Sequence, residues 1–100
     1  MNTLNLDLKD RSYPIYIGQD LLVDKNLLSK HILSNKVCVV TNKTIANLYL
    51  QSILETLSSF EVIVVSLEDG EKYKNEDSLN QIYASLLKNR ADRDTTIVAL

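Results

Sequence analysis

Three short apolar runs constrain this chain more than anything else in it: Val37-Cys38-Val39-Val40-Thr41, Val62-Ile63-Val64-Val65 and Thr95-Thr96-Ile97-Val98-Ala99-Leu100. β-branched runs of this length, without polar alternation, suit strands buried on both faces. Two stretches of helical periodicity lie between them. The first places Ile45, Tyr49, Leu50, Ile53, Leu54 and Leu57 three and four residues apart, and Ser58-Ser59 closes it. The second does the same with Leu79, Ile82, Tyr83, Leu86 and Leu87. Asn75 can cap that helix, Glu76 and Asp77 suit its positive end, and Lys88 and Arg90 its negative end. Strand, helix, strand, helix, strand predicts an α/β fold with a parallel sheet and right-handed connections.

The first 36 residues follow another rhythm. Leu4, Leu6 and Leu8 alternate with Asn5, Asp7 and Lys9, which predicts a half-buried strand. Lys9-Asp10-Arg11-Ser12 is a polar turn. Strand character returns from Tyr13 to Ile17, with Ile15 and Ile17 on one face. Pro14 cannot donate to a ladder, so that strand is expected to lie at an edge or to have Pro14 at its start. Together they predict an opening β-hairpin. Asp20 is then expected to cap a short helix holding Leu21, Leu22 and Val23, with a second helical piece around Leu27, Leu28, Ile32 and Leu33. The last strand reaches Leu100 with no closing helix, so residues 1–100 read as one incomplete domain of a longer protein.

Composition excludes several classes. A net charge of −2 and a pI near 5.3 provide no basic surface for nucleic acid or an anionic membrane. The amino terminus lacks the basic and apolar regions of a signal peptide, and no apolar run approaches the ~20 residues that cross a bilayer. The single cysteine, Cys38, sits inside an apolar run and reads as a small buried hydrophobe. With no disulfide framework, a reducing, cytoplasmic setting is expected. His31 reads as a surface or half-buried structural residue, and Tyr49 and Tyr83 as core.

Chemistry is expected at the carboxyl ends of the parallel strands, where open α/β sheets bind ligands. Two such ends fall within the chain: Thr41-Asn42-Lys43-Thr44, and the loop from Leu67 to Lys74, which includes Asp69-Gly70-Glu71-Lys72-Tyr73-Lys74. If the first two parallel strands are neighbours, both ends share one rim. Asp69 or Glu71 could accept hydrogen bonds from ribose hydroxyls. Lys72 and Lys74 could neutralise phosphate or carboxylate, Asn42 could read an adenine edge, and Gly70 permits close backbone approach. On spacing alone the first end is a turn with a helix cap. The second reads equally as solvated charge or as a ligand rim. Neither G-x-G-x-x-G nor a Walker loop occurs.

Several phrases converge on one family: Arg11-Ser12-Tyr13-Pro14-Ile15, Val40-Thr41-Asn42-Lys43-Thr44-Ile45-Ala46 with Leu48-Tyr49-Leu50, Asp69-Gly70-Glu71-Lys72-Tyr73-Lys74, and Arg93-Asp94-Thr95-Thr96 leading to Ala99-Leu100. In this order the chain closely resembles the amino-terminal part of the 3-dehydroquinate synthase family, along essentially all 100 residues. The resemblance implies an amino-terminal β-hairpin followed by a Rossmann-like βαβαβ domain that binds NAD. A carboxyl-terminal domain carrying a divalent metal, zinc or cobalt, and most substrate contacts would lie beyond residue 100.

The family converts 3-deoxy-D-arabino-heptulosonate 7-phosphate to 3-dehydroquinate with loss of phosphate, in the shikimate pathway. The resemblance places NAD contacts on Asn42, Lys43 and Thr44, and on Asp69, Gly70, Glu71, Lys72, Tyr73 and Lys74. It places no catalytic residue or metal ligand in this chain. It further implies a small sugar-phosphate substrate, a homodimeric parent in the cytoplasm, and no nucleic-acid or membrane partner. The competing readings are a related sugar-phosphate cyclase or metal-dependent polyol dehydrogenase, and a stand-alone α/β module without enzymatic activity.

Overall fold

The computed structural model describes residues 1–70, Lys72 and residues 75–100. Strands β1 (Asn2–Leu6) and β2 (Tyr13–Ile17) form an antiparallel hairpin. A single turn at Leu21–Val23 and helix α1 (Lys25–Ser29) lead into β3 (Lys36–Asn42). One right-handed helical rod then runs over residues 43–56 as α2 (Lys43–Ile45), a π-helical turn (Ala46–Leu50) and α3 (Gln51–Thr56). β4 (Glu61–Leu67), α4 (Glu76–Lys88) and β5 (Thr96–Ala99) complete the order. The second sheet is parallel, with β3 between β4 and β5. The expected α/β architecture of hairpin plus parallel three-stranded sheet is what the chain adopts.

β3 is central because both its faces are covered. Val37 and Val39 pack with Ile53 of the rod and with Leu57 just past its end on one side. Cys38 packs with Ile63 and Val65 on the other, over Ile82 and Leu86 of α4. Val37, Cys38, Val39 and Ile53 are wholly shielded from solvent. Each fully buried aliphatic side chain of this kind contributes about 1.5–3 kcal/mol. Burial also pushes the Cys38 thiol upward, away from the reactive thiolate.

The outer strands behave differently from β3. β4 and β5 were expected to be buried on both faces, but they flank the sheet and each leaves residues open, Val64 on β4 and Ile97 on β5. The cause is placement: α4 packs against β4 and leaves Ile97 of β5 open, while Val64 lies on the opposite face of β4, where the rod packs on Val37 and Val39 of β3. The same cause corrects the helix face read from spacing. Ile82 and Leu86 pack inward, whereas Leu79, Tyr83 and Leu87 lie exposed, Leu87 at 81%. Tyr49 and Tyr83 are therefore surface residues rather than core.

The hairpin forms as the alternation predicts, yet β1 is exposed throughout instead of half-buried. Register pairs Leu4 with Ile15 and Leu6 with Tyr13, which gathers Leu4, Leu6, Tyr13, Ile15 and Ile17 on one face. That face is the open one. The opposite face docks through Tyr16, whose hydroxyl lies 3.0 Å from Nε2 of His31 while Lys30 stands over its ring. Asp20 also departs from expectation: it adopts a left-handed conformation and caps nothing. Asp24 does the capping instead, its carboxylate accepting from the Leu27 amide at 3.0 Å at the start of α1.

The end of α4 shows how the sheet grips its crossover. Ala91 donates to the carbonyl of Leu86 and Arg90 to that of Leu87, a Schellman closure that puts Arg90 at φ 56°. Lys36, at the start of β3, caps the last carbonyls, those of Asn89 at 2.9 Å and Arg90 at 2.7 Å. A cation at a helix carboxyl end also complements its dipole.

Candidate ligand rim at the strand ends

β3 and β4 are neighbours in parallel, and their ladder ends with Asn42 opposite Leu67. The two expected loops therefore open on the same rim. No turn separates β3 from its helix: Asn42 is both the last strand residue and the helix cap. Its side-chain oxygen accepts from the Ile45 amide at 2.8 Å. Such caps are worth roughly 1 kcal/mol. The helix-cap reading of this segment is thus correct for Asn42, and the residues after it do more.

Lys43 and Thr44 reach across to the β4 loop. The Lys43 ammonium meets the Glu68 carboxylate at 2.6 Å. Thr44 grips Asp69 twice: its amide donates to one carboxylate oxygen at 3.2 Å, and its hydroxyl donates to the other. Hydrogen bonding by the Thr44 hydroxyl, then by its amide, holds the Asp69 carboxyl below its ordinary value, with the Lys43 charge adding to the effect. Hydrogen bonding to Glu68, and then its charge, raises Lys43. The Lys43–Glu68 ion pair stands in solvent, so its value lies in geometry more than in stability.

Gly70 follows immediately with φ at 101°, a conformation L side chains rarely adopt. The space beside its Cα is empty to 4 Å, so the backbone angle, and not crowding, requires glycine here. Between the loops lies an open groove of about 310 Å³, bordered by Asn42, Leu67, Glu68 and Gly70 on one side and Ala99 and Leu100 on the other. β5 thereby brings its carboxyl end to the same rim.

Of the residues expected to form a site, the structure brings together Asn42, Lys43, Thr44, Asp69 and Gly70. Lys72 is exposed and its carbonyl accepts from the Asn75 side chain at 3.2 Å. Glu71, Tyr73 and Lys74 lie outside the described residues. Glu68 is the member that sequence reasoning passed over. Its signal was positional: it stands one residue beyond the Asn42–Leu67 pair, which sets it beside Lys43. Among the described residues, no group of three or more His, Cys, Asp or Glu side chains is placed to hold a metal ion, and no helix is long and apolar enough to cross a membrane.

A parallel α/β sheet whose strand ends converge on a polar rim defines the class of α/β proteins of Rossmann-like plan. Within that class the chain is homologous to the 3-dehydroquinate synthases. It is 58% identical to the 3-dehydroquinate synthase of Ruthia magnifica, 53% to that of Vesicomyosocius okutanii and 50% to that of Pseudomonas entomophila, each over all 100 residues. The chain spans 28%, 28% and 27% of these proteins, matching their amino-terminal part. No family profile matches the chain. The resemblance drawn from the Asp69–Lys74 and Arg93–Thr96 phrases is borne out.

Proposed function

We propose that this chain is the amino-terminal, nucleotide-binding part of a 3-dehydroquinate synthase. The complete protein converts 3-deoxy-D-arabino-heptulosonate 7-phosphate to 3-dehydroquinate and phosphate, in the shikimate route to aromatic amino acids. The observation that carries this reading is identity of 50–58% to three such enzymes along every residue of the chain. NAD is the proposed cofactor of the rim, together with a divalent metal held by residues outside this chain. The complete enzyme is proposed to act as a cytoplasmic homodimer.

The rim suits part of a dinucleotide. The groove is about 310 Å³, has an apolar floor from Leu67, Ala99 and Leu100, and carries a few polar groups at its edge. Such proportions fit a small-molecule subsite rather than a whole cofactor. Bound NAD supplies a reversible hydride acceptor. The chain's own work is to bind and orient: Asn42 fixes the helix start, Gly70 turns the β4 loop through its left-handed angle, and the Thr44–Asp69 and Lys43–Glu68 pairs set the spacing between loops. Asn42, Lys43, Thr44 and residues 69–74 are the proposed contact region. Catalysis requires these groups together with the metal and phosphate contacts of the complete protein.

The test is direct. The full-length protein, supplied with NAD and a divalent metal, is expected to release phosphate from the heptulosonate phosphate in step with 3-dehydroquinate. Absence of phosphate release under those conditions ends the proposal. Formation of a different carbocycle would reassign the protein to a related cyclase.

A further inference from the structure

The two faces of β5 are covered unequally. Val98 and Leu100 pack on the rod side, against the cluster of Val37 and Val39. Ile97 and Ala99, on the other face, are exposed, Ile97 at 54%. Register sets Ile97 beside Cys38 and Ala99 beside Val40, so the bare face is the one α4 covers at Cys38, Ile63 and Val65. α4 therefore roofs β4 and β3 and stops short of β5.

The flanks of α4 differ in the same sense. Residues advance about 100° round a helix. With Ile82 against the sheet, Leu79, Tyr83 and Leu87 turn to one flank and Asp77, Gln81 and Lys88 to the other. A right-handed crossover from β4 to β5 runs α4 opposite to the strands. A right-handed helix in that direction turns its Leu79–Tyr83–Leu87 flank toward β5 and its polar flank toward the β4 edge of the sheet. The three apolar residues are 45%, 54% and 81% exposed. With Ile97 they wall an apolar trough above β5. Among the described strands β5 pairs with β3 alone, so its outer edge is open as well.

We propose that this trough is the seat of an amphipathic helix supplied by the segment of the complete protein that directly follows Leu100. Handedness selects that occupant. A strand added to the open edge of β5 continues the direction from β4 to β5, and a right-handed connection in that direction returns over the same face as α4. The polar flank of α4 excludes a matching layer at the β4 edge. The relatives have the length for it, since the chain spans only 27–28% of them. The proposal rests on the reading of this chain as the amino-terminal part of such a protein, and not on what the rim binds.

The experiment uses the full-length protein with p-benzoylphenylalanine incorporated in place of Tyr83, irradiated and read by peptide mass spectrometry. The crosslink should join position 83 to a peptide of the same chain within roughly 30 residues after Leu100, the span of one crossover unit. The same probe in place of Ala84, on the solvent side of α4, should give no such crosslink. In parallel, Leu79→Cys should react with a maleimide roughly tenfold more slowly than Ala84→Cys, because a covered site is labelled only through local opening. Leu87→Lys should lower the denaturation midpoint even though a cation suits this end of the helix, whereas Ala84→Lys should leave it unchanged.

Capture of a peptide farther along the chain overturns the proposal, and so does capture of a second copy, seen as a crosslink lost on dilution. Labelling of Leu79→Cys as fast as Ala84→Cys overturns it equally. Should the position-83 variant not fold, the cysteine pair and Leu87→Lys decide the matter. Failure of the full-length protein to release phosphate defeats the enzymatic reading alone, because the crosslink reports the covering of α4 whatever the protein catalyses.

Discussion

The hairpin and β3 are equally strand-like in sequence, and the structure treats them in opposite ways. Leu4 is 56% exposed, Ile17 54% and Tyr13 50%, whereas Val37 and Val39 are at 0%. The difference lies in what stands above each face. β3 has a helix on either side, because each crossover between parallel strands returns over the sheet. The hairpin's connection is a tight polar turn that carries no covering layer, so its apolar face stays open. Alternation fixes which residues share a face, and only the neighbouring elements decide whether that face is buried.

Substitutions can break this contrast, and the largest effect is expected where the two layers meet. Ile53→Ala, in the wholly shielded cluster with Val37 and Val39, should destabilise the protein by about 3 kcal/mol, read as a lowered denaturation midpoint. Ile15→Ala on the open hairpin face should cost under about 0.5 kcal/mol. Comparable losses at both positions would show that the hairpin face is covered in solution and would collapse the contrast.

A smaller effect tests how the rod is joined to the segment leading from the hairpin. The Thr56 hydroxyl is buried and lies 2.6 Å from the Leu22 carbonyl and 3.0 Å from that of Ser52. Thr56→Val conserves shape but orphans the Leu22 carbonyl, and should cost about 1–2 kcal/mol. Thr56→Ser should recover most of that. A neutral Thr56→Val would mean that water replaces the bond.

Arg90 supplies a gain instead of a loss. It ends α4 in a left-handed conformation that favours glycine, and its side chain is exposed. Arg90→Gly should raise stability by about 0.5–1 kcal/mol by removing that strain. Lys36 bonds the Arg90 carbonyl, not its side chain, so this contact survives the change. A lower midpoint in the variant would place the role of Arg90 in its guanidinium.

How much of this was legible beforehand divides along the same line as the hairpin and β3. Element order, the hairpin and the rim shared by β3 and β4 all follow from local periodicity and from the rule for parallel strands. Asn42 and Asn75 as caps were legible because capping is local in sequence; each accepts from the amide three residues on. The exposure of Leu79, Tyr83 and Leu87 was not, since a helix pattern shows an apolar stripe wider than the neighbouring sheet fills. Asp69 was legible as a rim residue but not as a partner of Thr44. That pairing needs the register of two strands, and register is set by packing that no short window contains.

The mildest prediction concerns pH, and it separates the two rungs of the rim. The Asp69 carboxyl is lowered in the folded state, so its contribution is complete above the ordinary carboxylate range and fades as pH falls through the lowered value. Lys43 is raised, so its contribution is complete below the ordinary ammonium range and fades as pH rises through the raised value. Between about pH 5 and pH 9 both rungs should hold at full strength, because each ordinary value lies outside that window. Carbon-detected titration of the Asp69 carboxyl should therefore give a midpoint below that of an unperturbed aspartate, and Thr44→Val should move it back upward, since the hydroxyl is the largest cause of the shift. Lys43→Ala should move it less, the ammonium being the smaller cause. An unperturbed midpoint in wild type, or an equal response to both substitutions, would reduce the Thr44 grip to one surface contact among many and remove the distinction between this rim and an ordinary solvated loop.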